Sequence, residues 1–308
     1  MTSAATTLRV GLVGTGTWAS KTHAAALRAH PGTDLVGVWG RRPEAAAEVA
    51  AAHGTRVFED VDALFAACDA VAFAVPPDVQ APLAARAAAA GCHLLLDKPL
   101  ATSVAAAREV VDAVRAAGVA SVVFFTLRFA TATSDWLAQQ AVAGGWFTGR
   151  ADWYGSLYTP GDTSELTTSP WRVGRGALWD VGPHALSVLL PVLGDVTSVT
   201  AARGPADTVH LVLAHASGAS ATAALSLTAP AKAAGVDVEL RGESGIVSMP
   251  TGGASVDAFG VAVDALLESV RTGRPHACDA AFALRVTEIL AAAEARLASS
   301  GGEPGPGE

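Results

Sequence analysis

Asparagine is absent from this 308-residue chain, isoleucine occurs twice, and lysine occurs three times, at Lys21, Lys98 and Lys232. These gaps accompany an abundance of alanine, so Ala-rich stretches carry little meaning of their own. Cysteine is equally scarce. Cys68, Cys92 and Cys278 are scattered without paired spacing. That argues against a disulfide framework or a zinc site and fits a reducing cytoplasm. Basic runs are missing, and the net charge is −8, so nothing suggests nucleic acid as a partner. Arg, Asp or Glu interrupts every Ala-rich segment, which leaves no clean membrane span. The opening "MTSAATT" has no basic start and no apolar core, so no signal peptide is expected.

What is present is a long apolar inventory, 51% of the chain. That suffices for two domains of ordinary size. Over residues 1–125 short apolar runs alternate with helical stretches. Strands are expected at Leu8–Val13, Asp34–Trp39, Ala70–Val75, His93–Leu96 and Val119–Phe125. These runs lack period-two alternation, as strands do when both sheet faces are covered. The pattern implies crossover units and a doubly wound parallel sheet, a Rossmann-type dinucleotide-binding domain.

The first turn reads Gly14-Thr15-Gly16-Thr17-Trp18-Ala19. Two glycines and a small residue there permit a tight turn and close approach of a pyrophosphate to backbone N–H groups. The second strand normally ends in an acid that binds the adenosine ribose. Here it ends Trp39-Gly40-Arg41-Arg42, with no carboxylate and two guanidiniums. Arginine grips phosphate with paired donors, so the tip points to a 2′-phosphate and to NADP, with NAD as the alternative. Val75 and Pro76, at the end of the third strand, join the expected cofactor set, as do Asp97 and Lys98 after the fourth.

Beyond residue 126 the pattern changes. Strands at Trp146–Leu157, Val196–Ala202, Thr208–Ala214, Ala219–Thr228, Val236–Arg241 and Gly245–Met249 follow one another with few helices. An α+β domain over 126–308 with a mainly antiparallel open sheet is expected. Helices are expected at Ala177–Leu193, Val256–Arg271 and Ala277–Ala298. The tail from about residue 299 is Gly- and Pro-rich and expected to be disordered.

Three motifs together resemble the Gfo/Idh/MocA family, the group of glucose–fructose oxidoreductase, inositol dehydrogenase and rhizopine-catabolism proteins. They are the Gly14–Ala19 turn, Asp97-Lys98-Pro99, and "GRGALWDVGPH" over Gly174–His184. Trp171-Arg172 and Arg128-Phe129 also fit. The departures are Asp97 in place of a glutamate, Arg175 within the Gly-rich run, and Ser187 where an acid is often found. The resemblance implies hydride transfer between a nicotinamide and a secondary alcohol or ketone, most simply of a sugar or cyclitol. It assigns catalysis to Lys98, Asp180 and His184. Lys98 would contact the reacting oxygen, where a cation stabilises alkoxide character. His184 would move the hydroxyl proton and Asp180 would orient it or the substrate. Asp180 and His184 are four apart, which on one helix puts them on one face.

Arg128, Trp171, Arg172 and Trp179 are the substrate-binding candidates. Five of seven tryptophans fall between Trp136 and Trp179, and packing explains most of them equally well. Two other readings stay open. One is a dehydrogenase or reductase of an apolar ring diol or tetrapyrrole-like substrate. The other is a non-catalytic NADP sensor. A small-molecule substrate is the expected partner, without nucleic acid or membrane. The resemblance adds a homodimer or homotetramer through the second-domain sheet.

Overall fold

The computed structural model describes residues 7–158 and 169–299. The closing tail thus lies outside the described residues. The chain divides into two compact units, Met1–Thr131 with Gly253–Arg285, and Ala132–Gly252 with Val286–Glu308.

In the first unit, β1 (Leu8–Val13) runs into a helical turn whose middle, Ala19–Ala24, is a π-helix continued by α1 (Ala25–Ala29). β2 (Thr33–Trp39), α2 (Pro43–His53) and α3 (Val61–Ala67) follow, then β3 (Ala70–Phe73), α4 (Pro77–Ala89), β4 (His93–Asp97), α5 (Val104–Ala117) and β5 (Ser121–Phe124). The sheet order is β2-β1-β3-β4-β5, parallel throughout. β3 and β5 are buried at every position, which is why their sequences show no alternation. Local chemistry sets the helix ends. Pro43 and Pro77 stand in the first turns of α2 and α4, where a missing N–H costs nothing. The Asp60 and Ser103 side chains accept from Asp62 N and Ala106 N and cap α3 and α5. Gly54 and Gly118 close α2 and α5 in the left-handed region.

A short helix α6 (Thr126–Phe129) and a longer α7 (Thr131–Ala143) come next. Neither is expected from the sequence, because "TATSDWLAQQAVA" has almost no apolar periodicity. In the second unit β6 (Trp146–Tyr154), α8 (Pro170–Asp180), α9 (Gly182–Leu193), β7 (Val196–Arg203), β8 (Val209–His215), β9 (Ser220–Ser226), β10 (Gly235–Gly242) and β11 (Gly245–Ser248) succeed one another. The sheet order is β11-β10-β6-β9-β8-β7. Among the described residues only β6 and β9 of this sheet pair in parallel, so the sheet is mostly antiparallel as expected. β8 alternates strictly between buried and exposed residues, the signature of a sheet covered on one face.

α9 is buried at ten of its twelve positions and packs on β6 and β9. The stretch Pro170–Leu193 is apolar and long enough to cross a membrane, but 83% of its apolar window lies inside the protein. It is a core element. α10 (Ser255–Thr272) and α11 (Ala280–Ser299) complete the chain. α10 follows the second sheet in sequence yet packs against α1, β4 and β5 of the first unit, with Phe259 fully buried.

Candidate active site

The carboxyl ends of β1 and β4 carry the first group of candidate side chains. Gly14 has φ +142°, and a Cβ there would stand 2.4 Å from the Ala74 carbonyl oxygen. No other residue fits that backbone. Its N–H donates to Trp39 O at 3.0 Å, which ties the turn to β2. Gly16 differs: a Cβ on it would meet nothing within 4 Å. Its open side is a cradle that a side chain would fill, and the helical turn starts directly behind it. That arrangement fits a dinucleotide pyrophosphate. At the tip of β2 a Cβ on Gly40 would strike the Thr15 methyl at 2.3 Å, so Gly40 makes room for the turn. Arg41 and Arg42 are exposed beside it. Pro76 lies just after β3, and its carbonyl accepts from Val79 and Gln80 N–H to start α4.

Asp97 ends β4. Its Oδ2 accepts from Trp18 Nε1 at 2.7 Å and its Oδ1 from the Lys98 backbone N–H at 2.9 Å. Trp18, from the glycine-rich turn, thereby reaches the strand end that carries Lys98. Its ring stacks on Phe124 at 6.4 Å between centroids. His23 is completely buried behind it, 4.0 Å from the Phe259 ring, with Nε2 3.7 Å from Asp97 Oδ2. Lys98 is half-buried. Arg128, on α6, lays its guanidinium 5.5 Å over the Phe282 ring. Burial, and then the Arg128 charge, hold the His276 imidazole below its usual pKa.

The second group lies on α8, α9 and β6. Gly176 breaks α8 with φ +63° and ψ −162°. After the break Ala177, Leu178, Trp179 and Asp180 are all buried. Asp180 is the last residue of α8, and His184 lies in the first turn of α9. The single helix expected over Ala177–Leu193 is interrupted at Val181, which keeps right-handed helical angles, donates its N–H to Ala177 O at 2.9 Å and accepts from Ala185 N–H at 3.3 Å. Pro183 has no N–H to offer the Trp179 carbonyl, so one rung of the helical ladder is missing at this junction. Gly182 at the junction is needed for packing, since a Cβ there would lie 2.8 Å from Leu290 Cδ2.

Arg172 Nε donates to Asp180 Oδ2 at 3.1 Å, and both side chains are largely buried. The same guanidinium covers the Trp171 ring at 4.6 Å. This ion pair, closed by a stacked indole, fixes the carboxylate in place. The His184 ring stacks on Trp153 of β6, 4.7 Å between centroids and 16° apart in plane. Ser187 Oγ donates to the His184 carbonyl at 2.8 Å. Trp153, which the sequence leaves among the packing tryptophans, thus touches the candidate His184. Burial, and then the Asp180 charge, push the Tyr158 phenol above its usual pKa, placing Tyr158 within the field of this group.

Trp179 departs from the sequence reading. It is 0% exposed, its Nε1 donates to Glu294 Oε1 at 2.9 Å, and the Arg175 guanidinium lies 5.3 Å over its ring. Arg175 also donates to both Glu294 oxygens at 3.0 Å. The residue expected to line a substrate pocket has no surface left for a ligand. It lies beyond the Gly176 break and packs in the core.

The chain matches the family model described as "Oxidoreductase family, NAD-binding Rossmann fold" over residues 8–125. It matches the "GFO/IDH/MocA C-terminal domain" over residues 146–248. Among characterised relatives, D-glucoside 3-dehydrogenase of Escherichia coli is 31% identical over 61% of this chain and 54% of its own length. Galactose 1-dehydrogenase of Pseudomonas fluorescens is 29% identical over 60% and 57%. The chain thus spans little more than half the length of these relatives. Among solved structures, levoglucosan dehydrogenase in complex with NADH and levoglucosan aligns with a TM-score of 0.85, over 95% of this chain and 97% of that one, at 18% identity. That likeness is one of fold.

Proposed function

This chain belongs to the Gfo/Idh/MocA oxidoreductase family, and on that footing we propose that it is a nicotinamide-dependent dehydrogenase of a sugar or cyclitol hydroxyl. The observation that carries this reading is the juxtaposition within the first unit. A glycine turn shaped for a pyrophosphate follows β1 and a half-buried lysine follows β4, at the same carboxyl edge of the sheet with β3 between them, and Trp18 joins the two through Asp97. Ligands of doubly wound sheets bind at that edge. Bound there, the dinucleotide would supply or accept the hydride.

The chain's own residues have separate tasks. Gly14–Ala19 would hold the pyrophosphate, with Val75 and Pro76 beside it. Lys98 would hold the reacting oxygen and stabilise negative charge on it. His184 would take up or return the hydroxyl proton. Asp180, held by Arg172, would orient that exchange, and Trp171 would offer an indole edge to the sugar. The named relatives act on glucosides and galactose, which supports a sugar-like substrate. The free, buried cysteines are compatible with a cytoplasmic enzyme.

Within this reading NADP is the preferred dinucleotide. Its support is the absence of an acid at the tip of β2 and the exposed pair Arg41 and Arg42. A panel of sugars and cyclitols, assayed with both dinucleotides by absorbance of the reduced nicotinamide, tests the activity. No turnover across such a panel would count against it. Replacing Arg41 and Arg42 by alanine tests the cofactor. A lost charge-assisted contact is worth about 1.5–3 kcal/mol, roughly tenfold or more in affinity. That loss should fall on NADPH and spare NADH. Equal losses on the two dinucleotides would refute this role of the arginines.

A further inference from the structure

β3 pairs with β4 only as far as Ala72 opposite Leu95. On its other side β4 stays paired to Asp97 opposite Phe124. The last residue of β4 therefore lacks a strand partner on the β3 side. Buried backbone groups without partners are costly, so something must stand in. That something is a side chain. Gln80, in the first turn of α4, is 1% exposed. Its Oε1 accepts from Asp97 N–H at 2.9 Å and its Nε2 donates to Asp97 O at 2.8 Å. One carboxamide thus pairs with both polar groups of one residue, as a neighbouring strand would.

The same Nε2 also faces Pro99 O at 3.3 Å and Leu100 O at 3.2 Å. Three carbonyls surround this end and one N–H meets the other, so chemistry fixes which end is nitrogen. Lys98 lies between the pinned residues. Its own N–H donates to Asp97 Oδ1, while Trp18 holds Asp97 Oδ2. Both oxygens of the neighbouring acid are thus engaged by N–H groups. A leucine at position 80 could fill similar volume, so apolar packing alone does not call for an amide here.

We propose that Gln80 is a positioning residue for Lys98, a side-chain substitute for the missing strand that holds the peptide groups on both sides of the lysine. The role it gives Gln80 in turnover rests on the dehydrogenase reading. The geometric claim does not. Gln80 aims the lysine through the backbone and touches no ligand.

The chain's three lysines permit a direct test. Trace labelling with acetic anhydride, read by mass spectrometry, reports the reactivity of Lys98 against Lys21 and Lys232 as internal references. In Gln80→Leu the relative labelling of Lys98 should shift while NADH binding holds, and turnover of a sugar identified in the panel should fall about 10–100-fold, the usual effect of a small misplacement. KM should change less than kcat. Gln80→Asn keeps the amide but shortens its reach, and should show a smaller shift in the same direction. Unchanged relative labelling of Lys98 in either folded variant overturns the proposal. Should both variants fail to fold, hydrogen exchange on the unmodified protein decides. The Asp97 amide should exchange as slowly as those of paired strand residues, and exchange as fast as an exposed loop amide overturns the proposal. Labelling and exchange need no substrate. A failed substrate search therefore leaves this inference standing, and unchanged labelling in an active enzyme removes this inference alone.

Discussion

Individual residues carry the chemistry, and the two ends of the candidate machinery should fail differently. Lys98→Met removes the cation proposed to hold the reacting oxygen while leaving the glycine turn untouched. Turnover should drop about a hundred- to a thousand-fold, with dinucleotide affinity nearly unchanged by fluorescence titration. His184→Ala removes a proton-transfer group, so the loss should be roughly a hundred- to ten-thousand-fold and the pH dependence of kcat should change shape. A fully active Lys98→Met enzyme would end the catalytic assignment. An unaltered pH profile in His184→Ala would move the proton-transfer role elsewhere. The surroundings of the two residues explain why neither can be judged by itself. Lys98 depends on peptide groups held by Gln80, and the His184 ring lies flat against Trp153.

The first βα turn uses its two glycines for different physical reasons. Gly14 is required by its own backbone and by the Ala74 carbonyl. Gly14→Ala should therefore destabilise the fold, by about 1–3 kcal/mol for a residue forced into such a conformation. Gly16 has open space where a Cβ would stand. Gly16→Ala should leave the melting temperature unchanged and weaken dinucleotide binding, because the added methyl occupies the cradle. Calorimetry with and without NADH separates the two. If Gly16→Ala lowers Tm as much as Gly14→Ala does, the glycine is structural and the cradle reading fails. α8 and α9 make a similar point about backbone. Gly176 breaks the helical run with a backbone that favours glycine, and Gly182 is held small by Leu290.

For the whole molecule, the exposed face of the second sheet is the feature that bears on assembly. Glu239, Arg150, Thr222, Val212 and Thr200 form one row across five strands, β10, β6, β9, β8 and β7. Val212 is 53% exposed in this row, and the strand around it alternates cleanly. We propose self-association to a homodimer or homotetramer through this face. Val212→Glu should leave the fold intact, since the side chain points to solvent, and should shift the protein to a monomer by light scattering. A wild-type protein that is already monomeric at assay concentration would refute the interface.

The class of both sheets could be read from local pattern, because covered and half-covered strands write different patterns. β3 and β5 are buried at every position, while β8 alternates. The ends of helices could be read likewise wherever a cap residue acts locally, as Ser103 and Gly118 do for α5. The dinucleotide turn and the lysine after β4 were legible for the same reason, since their chemistry is confined to a few consecutive residues. Helix α7 was not, because its thirteen residues carry almost no apolar periodicity and its burial comes from what packs on it. Nor were the roles of Gln80, Trp153 and Trp179. Gln80 meets Asp97 seventeen positions away, Trp153 meets His184 thirty-one positions away, and Trp179 meets Glu294 across 115. Contacts of that separation leave no local trace in sequence, because either partner would look equally at home on a surface. Which polar groups are buried together follows from the folded packing, since burial makes an unpaired amide or carboxylate costly and so forces each to a particular partner.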